Sequence, residues 1–192
     1  MVELIFRLAT MDDAPRLRAL IEHAFSTNDP RPGWTGDAAL ASQYTMELEQ
    51  MKADLSVPGV VTFAVLAAAG GDIIASVNVG RRGAAADTGR IGNLIVQDAY
   101  QRGGVGGQVL AYAEAYCQRE WGVTSMSLNA LSSRTALLAW YRSRGYRATG
   151  ETSAFPRGAA AFAACVIPED LCFIEMIKDV GVMESGETMV GE

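Results

Sequence analysis

Histidine is almost missing from this chain: His23 is the only one among 192 residues. Cysteine is scarce as well, and Cys117, Cys165 and Cys172 have no Cys-x-x-Cys spacing. A zinc site or a Ser-His triad has almost nothing to be built from, and no metal is expected. Long apolar runs are absent too. The stretch from Val60 to Ala69, among the longest, falls well short of a membrane span, and the amino-terminal residues lack the basic region and apolar core of a signal peptide. The expectation is therefore no membrane partner and, by default, a cytoplasmic address. Basic residues are outnumbered, 16 Lys and Arg against 22 Asp and Glu, for a net charge of −6. That argues against a nucleic-acid surface and favours a cationic over an anionic substrate at long range.

What remains is the composition of a globular enzyme, 49% apolar and 20% charged, at a length that supports one well-buried core. Residues 1–179 are expected to form a single domain. Residues 180–192, with little periodic apolar content, read as a flexible tail.

Along the chain, Glu3 to Ala9 alternates as a strand, and Thr10 with Asp13 caps a helix whose apolar face is Leu17, Leu20, Ile21, Ala24 and Phe25. The turn-rich Asn28 to Gly36 separates it from a second predicted helix, Asp37 to Leu55, with Leu40, Tyr44, Leu48, Met51 and Leu55 on one face. Val60 to Leu66 and Ile73 to Val79 read as a hairpin around Gly70-Gly71. Arg81 to Gly89 reads as a loop before a strand from Arg90 to Val96. A helix from Val105 to Trp121 follows, then a strand Ser125 to Ala130, a helix Arg134 to Arg144, a strand Tyr146 to Thr149, an irregular stretch Glu151 to Asp170, and a last strand Leu171 to Lys178.

The segment from Asn93 to Leu110 holds the strongest chemical signal. An apolar strand end, Leu94-Ile95-Val96, breaks into a turn rich in glycine, Gly103, Gly104, Gly106 and Gly107, that opens directly into a helix. First-turn amides have no partner inside a helix, and without crowding side chains they form an anion cradle suited to a phosphate or pyrophosphate. A P-loop would need Lys-Ser/Thr after the glycines, and none is there. A Gly-x-Gly-x-x-Gly dinucleotide turn would need a small residue where Val109 stands. What fits is Gln101-x-x-Gly104-x-Gly106, which resembles the acetyl-coenzyme A pyrophosphate loop of the GNAT superfamily of N-acetyltransferases.

A second motif, Leu137 to Glu151, is similar to the Tyr-x-x-x-Gly-Phe/Tyr region of that superfamily, with Tyr141, Gly145 and Tyr146 in place. The element order β, α, α, β, β, β, α, β, α, β, β is also the superfamily's. The resemblance implies an α/β fold with a mixed, mostly antiparallel central sheet of about seven strands flanked by helices, and a V-shaped splay between strands 4 and 5. It implies that the amides of Leu94 and Val96 bond pantetheine, and that Gln101, Arg102, Gly103, Gly104, Val105, Gly106 and Gly107 hold the pyrophosphate. Asn129, Ser133, Arg134 and Arg142 are further candidates for the cofactor's outer parts.

The resemblance makes Tyr141 the general acid, and a phenol of pKa about 10 suits protonation of a leaving thiolate. The chain departs from the pattern in two places: Arg134 stands where the superfamily often has Asn, and Arg90 where some members carry a glutamate base. The base is left among Glu47, Glu49, Asp87 or a water near Asn93. Trp34, Tyr44 and Phe155, with the segment on to Cys165, are the candidate acceptor wall.

The implied activity is direct transfer of acetyl from acetyl-CoA, the cosubstrate, to a primary amine, by a monomer or homodimer. The alternatives are a non-catalytic acyl-CoA-binding module of the same fold, a nucleotide-binding regulatory protein should the glycine loop hold a phosphate other than coenzyme A, and a less favoured acyl-cysteine route.

Overall fold

The computed structural model describes residues 2–26, 31–34, 38–42, 44–68, 70–82, 87–158 and 166–182. In chain order these form β1 (Leu4–Leu8), a short turn of 3-10 helix, α1 (Ala14–Ser26), α2 (Ala38–Ala41), α3 (Leu48–Leu55), β2 (Val60–Ala67), β3 (Ile73–Arg82) and β4 (Thr88–Val96). They continue through α4 (Val105–Trp121), β5 (Ser125–Leu131), α5 (Thr135–Ser143), β6 (Arg147–Ala154) and β7 (Cys172–Asp179). All seven strands join one sheet in the order β1-β2-β3-β4-β5-β7-β6, in which only β4 and β5 run parallel. The mixed, mostly antiparallel sheet is as the family resemblance implied.

Helix α4 lies on one face of the sheet because its stripe Val105, Val109, Ala113 and Cys117 is apolar at helical spacing. It buries that stripe with Val77, Val79, Ile91, Met126, Leu128 and Met176, all at most 3% exposed. Tyr112 stacks on Phe6 with ring centroids 3.8 Å apart, which ties the helix to the β1 edge. Alternation sends the other side chains of these strands to the opposite face. There α1 and α3 bury Leu17, Leu20, Ile21 and Met51 against Ile95, while Leu40 of α2 joins Phe155 and Leu171 over the far end of the sheet. The start of α1 is fixed by Asp13, which accepts from both Arg7 Nη atoms at 2.6 and 2.7 Å and from Thr10 N at 2.8 Å.

Three segments differ from the sequence expectation. The predicted Asp37 to Leu55 helix is two helices, α2 and α3, with residues 44–47 between them outside any helix. Tertiary bonds compete successfully there: Arg18 donates to the Met46 carbonyl at 3.1 Å, the Met46 amide reaches Glu22, and Tyr44 packs on Phe25 at 4.9 Å. Strand β6 runs on to Ala154 because Gly150, at φ 89°, lets a bulge absorb the extra residues between Ala148 and Thr152. The β3–β4 hairpin extends to Arg82 and back from Thr88, so Arg81, Arg82, Thr88 and Gly89 of the predicted loop are paired, and residues 83–86 lie outside the described residues. At the carboxyl end, the Val180 amide bonds Thr124 O at 2.9 Å and its carbonyl accepts from Gln118, while residues 183–192 lie outside the described residues.

The parallel pair β4–β5 is in register only at Thr88 with Ser125, Gly89 with Met126 and Arg90 with Ser127. Beyond Arg90, β4 continues to Val96 and β5 to Leu131 without pairing, so the two strands part and leave a wedge between them. Opposite the wedge, β4 carries a bulge: Ser76 pairs with Ile95 but Asn78 with Gly92, and Asn93 takes φ 45°. The extra residue changes the facing of the strand. Ile95 turns under α1, while Ile91, Leu94 and Val96 all meet the α4 side.

Candidate functional site

From Arg102 through Gly107, no backbone amide has a partner among the described residues; the bonds on either side are Gln101 N to Asp98 O and Gln108 N to Gly104 O. A run of unpaired N–H groups ending in a helix first turn is a cradle for anionic oxygens. Gly104 makes it possible by standing at φ 82°, a left-handed conformation that costs any residue with a Cβ about 1–2 kcal/mol. Arg102 itself sits at φ 64° with its side chain exposed beside the turn.

Gly106 and Gly107 have a second use. A Cβ on Gly106 would lie 3.7 Å from Trp140, and one on Gly107 would lie 3.1 Å from an Arg144 Nη, so the bare first turn admits side chains of α5. Arg144 thereby sits beside the cradle with its guanidinium 5.3 Å from the Trp140 ring. Sequence reading missed Arg144, because the helix tail that carries it signals only a C-terminal cation.

The strand side of the wedge supplies further donors. Gln97 N donates to Ile74 O at 2.8 Å and Ile95 pairs with Ser76, so alternation turns the Leu94 and Val96 amides away from β3, toward the gap left by β5. The Val96 carbonyl faces the same gap, where it accepts from Gln101 Nε2 at 3.0 Å. Gln101 also donates to Asp98 and accepts from Arg31 Nη2 at 2.7 Å. Arg31 lies 3.9 Å over the ring of Trp34. The Trp34 carbonyl accepts from Arg134 Nε at 2.8 Å, and Gly33 O accepts from Ala136 N at the start of α5. Residues 31–34 thus bridge the β4 and β5 sides of the wedge. Gly33 is required there, since a Cβ would collide with Thr135 Oγ1.

Tyr141 projects from α5 into the main core, 6% exposed, against Trp140 and Tyr146. Its hydroxyl has no hydrogen-bond partner among the described residues, and burial pushes its pKa up to about 12, partly offset by the positive charge of Arg134. Tyr146 differs in kind. Its hydroxyl donates to buried Glu114 at 2.9 Å, and Glu114 also accepts from Lys178 at 2.6 Å, so burial and that carboxylate raise the phenol far above its usual range. Tyr146 is therefore locked, and Tyr141 is available.

The other candidates scatter. Ser133 Oγ is buried without a partner at the end of β5. Asn129 donates to Glu175 at 3.0 Å. Tyr44 belongs to the α1–α3 cluster, where burial raises it to about 12, and Phe155 stacks on Phe173 at 5.8 Å under α2. Glu49 pairs with Lys52, Glu47 is exposed at the start of α3, and Asp87 is exposed beside Thr88. Cys117 is fully buried, and burial lifts its thiol to about 12, which removes it as a nucleophile. Residues 159–165, including Cys165, lie outside the described residues.

A carboxylate beside the paired end of the wedge is one the sequence did not single out, Glu175 of β7. It is 8% exposed and accepts from Arg90 Nη1 at 2.7 Å, Ser153 Oγ at 2.8 Å and Asn129 Nδ2 at 3.0 Å, with Arg82 at 3.5 Å. Burial alone would raise its pKa, but the bonds from Arg90, Ser153 and Asn129 hold it below its ordinary value. Only the fold brings these together, since they come from β3, β4, β5, β6 and β7.

Solved structures of the same fold span nearly all of the chain. The ribosomal-protein-S18-alanine N-acetyltransferase of Escherichia coli superposes with a TM-score of 0.66 at 14% identity, covering 96% of this chain and 98% of that one. A GNAT-family acetyltransferase of Streptococcus pneumoniae gives 0.64 at 20%, covering 93% and 100%. A nourseothricin acetyltransferase gives 0.64 at 16%, covering 92% and 98%. No curated protein matches the chain by sequence. The model of the acetyltransferase (GNAT) family matches residues 17–146, from α1 across the wedge, the amide cradle and Tyr141 to Tyr146, and the chain belongs to that family.

Proposed function

We propose that this protein moves an acetyl group from acetyl-CoA to a small-molecule primary amine by direct attack. The observation that carries this reading is the run of unpartnered amides from Arg102 to Gly107 beside parted strands. These donors fit a pyrophosphate, Arg102 and Arg144 add positive charge at its edge, and the wedge-facing amides of Leu94 and Val96 fit the amide-rich pantetheine arm. When bound, acetyl-CoA supplies an acetyl already activated as a thioester.

The chain's own residues do the rest. The Leu94 amide at the bulge is a preorganised donor for a carbonyl oxygen that gains charge, and the strand walls exclude water and align the reactants. In the reaction the N–C bond forms, the C–S bond breaks, and the sulfur needs a proton. Tyr141 holds that proton on Oη, in surroundings that disfavour the thiolate as much as the phenolate. Glu175 is a poor base, being saturated by donors; proton loss from the amine falls to solvent at the open face. The same saturation is what favours the second reading, a non-catalytic acyl-CoA-binding module.

Release of free CoA across a panel of primary amines separates the two. Turnover that depends on Tyr141 supports the transferase; tight acetyl-CoA binding with no amine-dependent CoA release supports the module.

A further inference from the structure

The chain carries a net charge of −6, yet the crevice on the open face of the sheet below the wedge has the opposite sign. About 260 Å³ in volume, it is lined by Val60, Asn78, Arg82, Arg90 and Gly92 together with three neighbouring residues of β3, among them Arg81, whose guanidinium lies over the Trp121 ring. Two guanidiniums, Arg82 and Arg90, share the single carboxylate of Glu175, which leaves an excess of one positive charge. Arg90 uses one Nη atom on Glu175, and its other guanidinium N–H groups have no partner among the described residues. A planar fork with open donors, anchored by a buried carboxylate, suits bidentate capture of a carboxylate or a similar acid group.

The position ties the crevice to the reaction. Arg90 is the last residue of β4 paired with β5, and its side chain reaches across to Glu175, which is in register with Asn129 two residues further up β5. Gly92, in the crevice wall, immediately precedes the bulge at Asn93. By strand rise and strand spacing the guanidinium and the bulge are on the order of 10 Å apart. An acid group on Arg90 and an amine at the bulge then belong to one molecule only if several bonds separate them.

The geometry points to an acceptor that carries a carboxylate several bonds from its amine, with Arg90 and Arg82 as the residues that select it. Glu175 is a positioning residue: fixed by Asn129 and Ser153, it holds Arg90 in place, with Arg82 paired at 3.5 Å. This deepens the acetyltransferase reading and rests on it for the chemistry, though not for the binding. It also reverses, at the site, the preference for cations suggested by the net charge.

The test compares ε-aminocaproate, γ-aminobutyrate, glycine and n-hexylamine as acceptors with saturating acetyl-CoA, reading CoA release. The expected result is a kcat/KM for ε-aminocaproate roughly tenfold or more above that for n-hexylamine, expressed in KM, with glycine poor. Arg90→Gln should erase that advantage and Arg82→Gln reduce it a few-fold. Arg90→Lys, which keeps a charge opposite Glu175, should recover part of it, and Tm shifts with acetyl-CoA should match the wild type in every folded variant.

Equal efficiency for hexylamine and ε-aminocaproate, or equal loss for both in Arg90→Gln, would overturn the carboxylate site while leaving acetyl transfer intact. Calorimetric titration of ε-aminocaproate into the CoA-loaded protein decides the case in which no amine is acetylated. Binding lost in Arg90→Gln then upholds the site and discards the transferase reading; no binding to the wild type discards the site as well.

Discussion

The proposed donor cradle is built by one continuous stretch, Val96 to Gly107, from backbone amides, whereas the Arg90–Glu175 cluster beside the proposed acceptor crevice takes single side chains from five strands. Backbone donors at a helix start owe their geometry to a turn, and the turn to the φ of one glycine, Gly104. The crevice owes its geometry to the register of the sheet, and its charges hold one another in place through Glu175. The first kind of site is fixed by local chain conformation and the second by tertiary structure, so the two should fail in different ways.

The largest expected effect comes from removing the anchor of the crevice. Glu175→Ala leaves Arg90 without its buried partner and should destabilise the fold by about 3–5 kcal/mol, read by urea unfolding, with acetyl-CoA affinity retained in the folded fraction. Next, Tyr141→Phe should lower kcat about 100-fold with little change in KM for acetyl-CoA. Tyr146→Phe supplies the contrast on the same motif: it should cost about 1.5–3 kcal/mol of stability by breaking the bond to Glu114 and leave kcat nearly unchanged. If instead Tyr146→Phe slows turnover more than Tyr141→Phe, the roles are reversed.

Gly104→Val attacks the cradle itself. The left-handed turn then costs about 1–2 kcal/mol, so acetyl-CoA should bind about tenfold more weakly while the affinity for the acceptor stays the same. The smallest effect is in acid. Glu175 titrates below its ordinary value of 4.5 in the fold, so its contribution is complete above that pH and is lost as pH falls through the lowered value. Stability of the wild type should therefore decline more steeply below pH 4.5 than that of Glu175→Gln.

The same contrast explains what could be read from the sequence. The cradle announced itself because every requirement it has, a strand end, glycines and a helix start, is met within some fifteen residues. The helix Val105–Trp121 was legible to its ends for the same reason, with Gly104 and Gly122 both left-handed at its boundaries. Tyr141 stood out because, with Gly145 and Tyr146, it resembles a motif of the family.

Glu175 carried no such signal, because its partners Arg82, Arg90, Asn129 and Ser153 are between 22 and 93 residues away in the chain and only pairing of β5 and β6 with β7 makes them neighbours. Arg31 was hidden in the same way, since its partner Gln101 lies across the wedge. The helix predicted over Asp37 to Leu55 failed where Arg18 and Glu22 of α1 take hold of Met46, an event no local pattern encodes.

The central claim is that the stretch from Leu94 to Gly107 holds coenzyme A and no other phosphate ligand. Thermal-shift titration with acetyl-CoA, CoA, ATP and NAD tests it most directly. Both CoA species should raise Tm, Gly104→Val should blunt the rise, and ATP and NAD should leave Tm unchanged. No rise with either CoA species, or an equal rise with ATP, would contradict it.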